Sequence, residues 1–260
     1  MSEQILLLLK TVFIQLISIF GIFFVLGFIL SVIQTATQNI YHRSVGWKGI
    51  LWTAWLGTPV HELGHAFFAI LFHHKITHIA LFSPNESTGE LGQVDHSYRK
   101  YSFFPRLGNF FIGSAPMIFG SIILVVLLYY LLPNGKLIFL PLTSGDGLLS
   151  SILLTLQNLF SYHNLQSWQF WLFLYLSFCI ASHLAPSKID RQGMWGGLFW
   201  LILLLLVINL VALLLGVDIT NYILHINQYL GIFTAIFIYA IIISIIHFVL
   251  VWVVLRLFRK

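Results

Sequence analysis

His61-Glu62-Leu63-Gly64-His65 sets two imidazoles four residues apart, with a carboxylate beside the first. On a helix, positions i and i+4 share one face, so both rings can reach a single metal ion. The pattern suits zinc, with two neutral imidazoles as ligands and a glutamate free to take a proton from a water at the metal. Glu62 is the only acid between Glu3 and Glu86, and it falls midway along an apolar stretch. A carboxylate in a lipid-embedded helix costs about 2.5–3.5 kcal/mol, so an acid kept there between two histidines reads as a functional site. The alternative reading is a polar cluster that joins helices by hydrogen bonds.

A catalytic zinc takes three protein ligands and keeps one position open. The single cysteine, Cys179, excludes both a Cys-rich ribbon and an internal disulfide. The third ligand must therefore come from His, Asp or Glu. The acids are Glu3, Glu62, Glu86, Glu90, Asp95, Asp146, Asp190 and Asp218. Asp190 stands out: it follows a segment broken by Pro186, on the side of the bundle toward which His65 lies. Its other reading is a surface ion pair with Lys188 or Arg191. Glu90, Asp95 and His96, in the loop after the metal helix, compete for the same position.

The elements that must position these groups lie in lipid. The chain is 59% hydrophobic and 8% charged, with mean hydropathy +0.94, against about 25% charged in soluble domains. Six segments are long and apolar enough to span a bilayer: residues 5–33, 47–72, 103–132, 168–184, 194–217 and 229–258. Residues 148–160 fit a shorter interfacial helix. The expected fold is an all-α polytopic membrane protein, one domain over residues 1–260 with a core from about 47 to 217. The first segment reads as a membrane helix that stays in the protein, since it is too long for the apolar part of a signal peptide.

Orientation follows from the basic residues. With both termini cytoplasmic, the inside collects Lys10, Lys75, Arg99, Lys100, Arg106, Lys188, Arg191, Arg256, Arg259 and Lys260; the outside keeps Arg43, Lys48 and Lys136. The net charge of +5 therefore reads as membrane topology and not as nucleic-acid binding. Between the second and third spans, residues 76–82 and 90–94 are β-prone and flank a turn rich in Pro, Asn and Gly, which predicts a hairpin. Such a hairpin could capture an extended substrate segment by strand addition. Gln93 on it and Asn109 in the third span are candidate substrate or transition-state contacts.

The chain resembles the site-2-protease group of intramembrane zinc metallopeptidases. The resemblance rests on His61-Glu62-Leu63-Gly64-His65, on Gly113-Ser114-Ala115-Pro116 in the next span, and on Pro186 followed by Asp190 and Gly193. It covers about residues 50–200 and implies zinc on His61, His65 and Asp190, with Glu62 as general base. It implies a membrane protein or peptide as substrate. Two departures stand out. Ser182 or His183 lies near the place of the family's asparagine, and Ile189-Asp190-Arg191 replaces its Leu-Asp-Gly. His183 thereby becomes a candidate for the transition-state contact. The alternative functions are a transporter or ion-binding protein built on His61, Glu62 and His65, and an inactive relative of the protease. The intact Glu62 argues against the last.

Overall fold

The computed structural model describes residues 2–144, 147–217 and 227–257. Asp146, Asp218, Arg259 and Lys260 lie outside the described residues. Helix α1 (Ser2–Leu16), a π-helical turn (Ile17–Gly21) and helix α2 (Ile22–Val45) form one rod. No proline interrupts it, and it ends where Gly46 takes a φ of 75°, a left-handed conformation that costs glycine little. Helix α3 (Trp47–Leu71) follows at once, then strands β1 (Lys75–Ala80) and β2 (Gln93–Ser97). Beyond them come α4 (Phe103–Leu131), α5 (Gly135–Phe139), a 3₁₀ turn (Leu140–Leu142), α6 (Leu148–Leu159) and α7 (Tyr162–Gln166). Helices α8 (Trp168–Ala181), α9 (Lys188–Leu214) and α10 (Asn227–Leu257) complete the chain.

Among the described residues, four helices are long and apolar enough to cross a membrane, over Leu8–Val45, Phe103–Leu131, Lys188–Leu214 and Leu230–Arg256. The two other expected spans differ. Helix α3 has the length, but its Thr, Gly, Pro and His content leaves it less apolar than these four. Helix α8 has 14 residues, about 21 Å at 1.5 Å per residue, short of a hydrocarbon core of about 30 Å. It stops early because Pro186 removes a backbone donor and forces the chain out of helix before α9.

Helix α4 is the centre of the bundle. Its apolar window is 67% buried, against 11% for Leu8–Val45 and 17% for Lys188–Leu214. It packs on α3, α8 and α9, and the side chains at its heart, Leu124 and Leu128, share a core with Phe170, Phe173 and Ile243. The α4–α9 crossing is backbone on backbone. A Cβ on Gly197 would lie on the main-chain nitrogen of Phe110, and one on Gly113 would lie on the carbonyl of Asp190. No side chain fits there, so small residues let the two helices close. Farther along, Gln15 and Asn209 exchange amide hydrogen bonds of 3.1 and 2.7 Å, tying α1 to α9.

The two strands pair antiparallel, with Lys75 opposite Ser97 and Ala80 opposite Gln93. The second strand was expected over 90–94 and instead starts at Gln93. Leu91 bonds back through its carbonyl to Ser83 N–H at 2.7 Å, and Gly92 packs against Thr58 and Glu62. Glu90 still pairs with Asn85 in an isolated antiparallel bridge.

The α4–α9 crossing gives a first prediction. Gly197→Val should destabilise the protein by about 1–3 kcal/mol, the usual cost of overpacking, while the neighbouring Gly196→Ala, which meets open space, should not. Thermal melts in detergent test it; equal melting temperatures for the two variants would refute the backbone contact.

Candidate metal centre

The metal ligands arise from two elements that the crossing brings together. Helix α3 presents His61 and His65 on one face, with ring centroids 4.9 Å apart. The first turn of α9 presents Asp190, whose oxygens lie 3.6 Å from His61 Nε2 and 3.2 Å from His65 Nε2. One ligand atom from each of the three lies within 4.8 Å of the others, and the group could hold a metal ion. Asp190 is itself fixed by a capping box: its carboxylate accepts Ser187 N–H at 2.7 Å, and Ser187 Oγ accepts Asp190 N–H at 3.2 Å.

The ring protons are accounted for by the main chain. His61 Nδ1–H donates to the carbonyl of His183 at 2.7 Å, and His65 Nδ1–H donates to the carbonyl of Ile112 at 2.9 Å. A carbonyl can only accept, so each ring carries a proton on Nδ1, and in the neutral form that binds a metal each turns an Nε2 lone pair toward Asp190. Two lone pairs and a carboxylate then face one another with no donor between them. A cation satisfies all three, so the donor set fits a metal ion.

Both accepting carbonyls are available because a helix is interrupted. Residue 116 is the one whose N–H would bond Ile112 O in an unbroken α4, and it is Pro116, which has none. Ile112 O is thereby left for His65. Likewise α8 ends at Ala181, and the carbonyls just beyond it are taken from elsewhere: Ser182 O by Gln38 Nε2 at 3.2 Å and His183 O by His61. Gln34 Oε1 accepts Ala185 N–H. Ser182 is held from below as well. Its hydroxyl donates to Phe178 O at 2.8 Å, so it must accept from His247 Nδ1 at 3.0 Å, and His247 Nε2 then accepts from Tyr41 OH at 2.9 Å. These α2 and α10 residues lie outside residues 50–200, which carry the resemblance. The signal was present in α2: Ser31, Gln34, Thr35 and Gln38 follow i, i+3, i+4, i+7, a polar stripe that begins where the apolar half of the helix ends.

That stripe lines one wall of a cavity of about 750 Å³. His61, Glu62, His65 and Asp190 line it together with residues 89–96 of the hairpin. Glu62 is 7% exposed and sits under Gly92. Gln93 and Asn109 also line the cavity. Gln93 donates to Asp95 at 2.7 Å, and Asn109 donates to Tyr98 OH at 3.0 Å. His183 is buried, with its ring 3.3 Å from Thr53 Oγ1 and its carbonyl at His61. The competing ligands are engaged elsewhere. Glu90 accepts from Thr88 at 3.2 Å, Asp95 from Gln93, and His96 bonds His74 at 2.8 Å. Arg191 bonds Pro186 O at 2.8 Å.

Comparison with protein-family models, with curated proteins and with solved structures finds no match for the chain.

The role given to Pro116 is testable. Pro116→Ala restores an N–H that competes for Ile112 O, so His65 should lose its fixed orientation and zinc affinity should fall about tenfold, as for other lost supports of metal-binding histidines. Chelator-competition titration of folded protein measures this; unchanged affinity would show that Ile112 O serves both donors.

Proposed function

We propose that the chain is an intramembrane zinc metalloprotease that hydrolyses peptide bonds of membrane-associated polypeptides, as the resemblance to the site-2-protease group implies. The observation that supports it best is one polar cavity with two histidines and an aspartate converging in it and a buried glutamate beside them. The proposed topology has six spans and both termini in the cytoplasm. Helix α3 and the short α8 count among the spans because they pack on each other and on α4 and turn large apolar side chains outward, among them Trp52, Phe67, Ile70 and Trp171.

His61, His65 and Asp190 would hold the zinc. Bound there, zinc supplies a Lewis acid that brings the pKa of a water toward roughly 7 and polarises a carbonyl. Glu62 lies next to His61 in sequence and lines the same cavity. Its carboxylate accepts a proton from water and returns it to the leaving amine. The backbone of Gly92 lies directly against Glu62, and no side chain fits between them, since a Cβ there would fall 2.9 Å from Glu62 Cγ. A substrate helix hides its peptide carbonyls in its own hydrogen bonds, so it must be extended before it is cut. Strand β2 offers an extended segment a partner for main-chain hydrogen bonds.

The discriminating experiment combines metal analysis with hydrolysis of an unfolded polypeptide such as β-casein by the purified full chain. Wild type should carry about one zinc. His61→Ala and Asp190→Ala should lose it, and Glu62→Gln should keep it while hydrolysis falls by at least about 10²-fold, the lower end for loss of a general base. A Glu62→Gln protein with full activity would overturn the assignment. A zinc-loaded wild type that moves zinc across vesicles without cleaving polypeptide would favour the transporter.

A further inference from the structure

A second histidine pair stands outside the metal group, where α3 meets the hairpin. Helix α3 ends with His74 N–H on Ala69 O at 2.8 Å, and His73 takes a left-handed φ of 60°. For a residue with a Cβ this conformation is strained. The turn it makes buries His74, 5% exposed, beneath the hairpin. His74 Nε2 lies 2.9 Å from the carbonyl of Pro105, and its Nδ1 lies 2.8 Å from His96 Nδ1. The ring of Tyr98 covers it at 4.5 Å between centroids.

These contacts assign every proton of the pair. Pro105 O only accepts, so His74 Nε2 carries a proton. Burial pushes the His74 pKa below its ordinary value, and the bond to Pro105 offsets this only in part, so the ring is neutral near pH 7 and its Nδ1 is bare. His96 Nδ1 must then be the donor of the short bond between the rings. Burial, with the neighbouring His74 and His65, also holds His96 below its ordinary pKa, while Asp95 and Asp190 act weakly the other way. Neutral His96 with its proton on Nδ1 has a lone pair on Nε2. No described residue bonds that nitrogen. His96 lines the same cavity as Glu62 and Gln93.

We propose that His96 is a substrate-binding residue, whose Nε2 accepts a hydrogen bond from a main-chain N–H of an extended polypeptide in the cavity, and that His74 is the positioning residue that fixes its tautomer. The inference rests on the polypeptide substrate proposed above. It gives a role to the strained turn and the buried histidine at the end of α3: together they hold one neutral ring nitrogen bare on a hairpin that also brings Glu90, Gln93 and Asp95 to the cavity. A peptide N–H is the donor that every extended polypeptide carries at each non-proline residue, so the contact favours extended main chain over any particular side chain.

Two measurements on the full chain in nanodiscs test it. Ring ¹⁵N spectra of histidine-labelled protein should show His96 with a protonated Nδ1 and a bare Nε2, both with and without zinc. A protonated Nε2, or an Nε2 signal that moves on zinc addition as a ligand would, overturns the proposal. The second measurement is binding of labelled β-casein to the Glu62→Gln protein. Adding His96→Leu should weaken binding about tenfold with zinc content unchanged, and His96→Gln, which keeps an acceptor, should recover most of it. Equal affinity of the Leu variant, or loss of zinc from it, overturns the proposal. Absence of β-casein binding and hydrolysis altogether would count against the protease reading itself, a result distinct from polypeptide that binds regardless of residue 96.

Discussion

A histidine can offer a lone pair to a cation only if the proton on its other ring nitrogen has an acceptor. In an apolar bundle that acceptor is scarce, because helical carbonyls are already occupied and no bulk water replaces them. The protein meets this constraint twice with its own main chain: His61 uses the carbonyl of His183 and His65 uses the carbonyl of Ile112. Everything around the centre follows from making those two carbonyls available. Pro116 removes the N–H that would occupy one of them, and the break after α8 exposes the other. Proline inside a membrane helix is here a device that releases an acceptor at a chosen position.

Released carbonyls are useful only if the strands of chain that bear them stay in place. Residues 182–187 have no helix of their own, and polar side chains from two distant helices hold them. Gln34 and Gln38 reach in from α2, and His247, backed by Tyr41, reaches Ser182. An unmade hydrogen bond in hydrocarbon is costly, so these amide and imidazole contacts are selective as well as cohesive. They give the broken segment one conformation, and with it one orientation of His61.

Asp190 joins the histidines because α4 and α9 touch through their backbones. Glycines at 113 and 197 remove the only obstacles, and α9 then enters the bundle with its first turn over α3. The capping box between Ser187 and Asp190 starts the helix and aims the carboxylate in a single step. Secondary-structure chemistry and ligand chemistry thus share the same two residues.

The class of the chain and the heart of the site were legible in the sequence because they depend on local quantities. Apolar length and scarcity of charge require lipid, and an i, i+4 pair of histidines flanking Glu62 shares a helix face whatever the rest of the chain does. Asp190 stood out by its place after the segment that Pro186 breaks, with Glu90, Asp95 and His96 as competitors. The hairpin followed from its turn residues, although its second strand begins later than propensity suggests, at Gln93, just past the contact of Gly92 with Thr58 and Glu62. Only the tertiary structure decided that Asp190 and not Glu90, Asp95 or His96 faces the histidines. It alone gave α2 and α10 their part in holding residues 182–185, and it alone set the tautomers of the histidines at the site. Those outcomes depend on which carbonyl is free within about 3 Å of a given nitrogen, the reach of a hydrogen bond. That distance is fixed by how helices far apart in sequence pack, and no local pattern of residues encodes it.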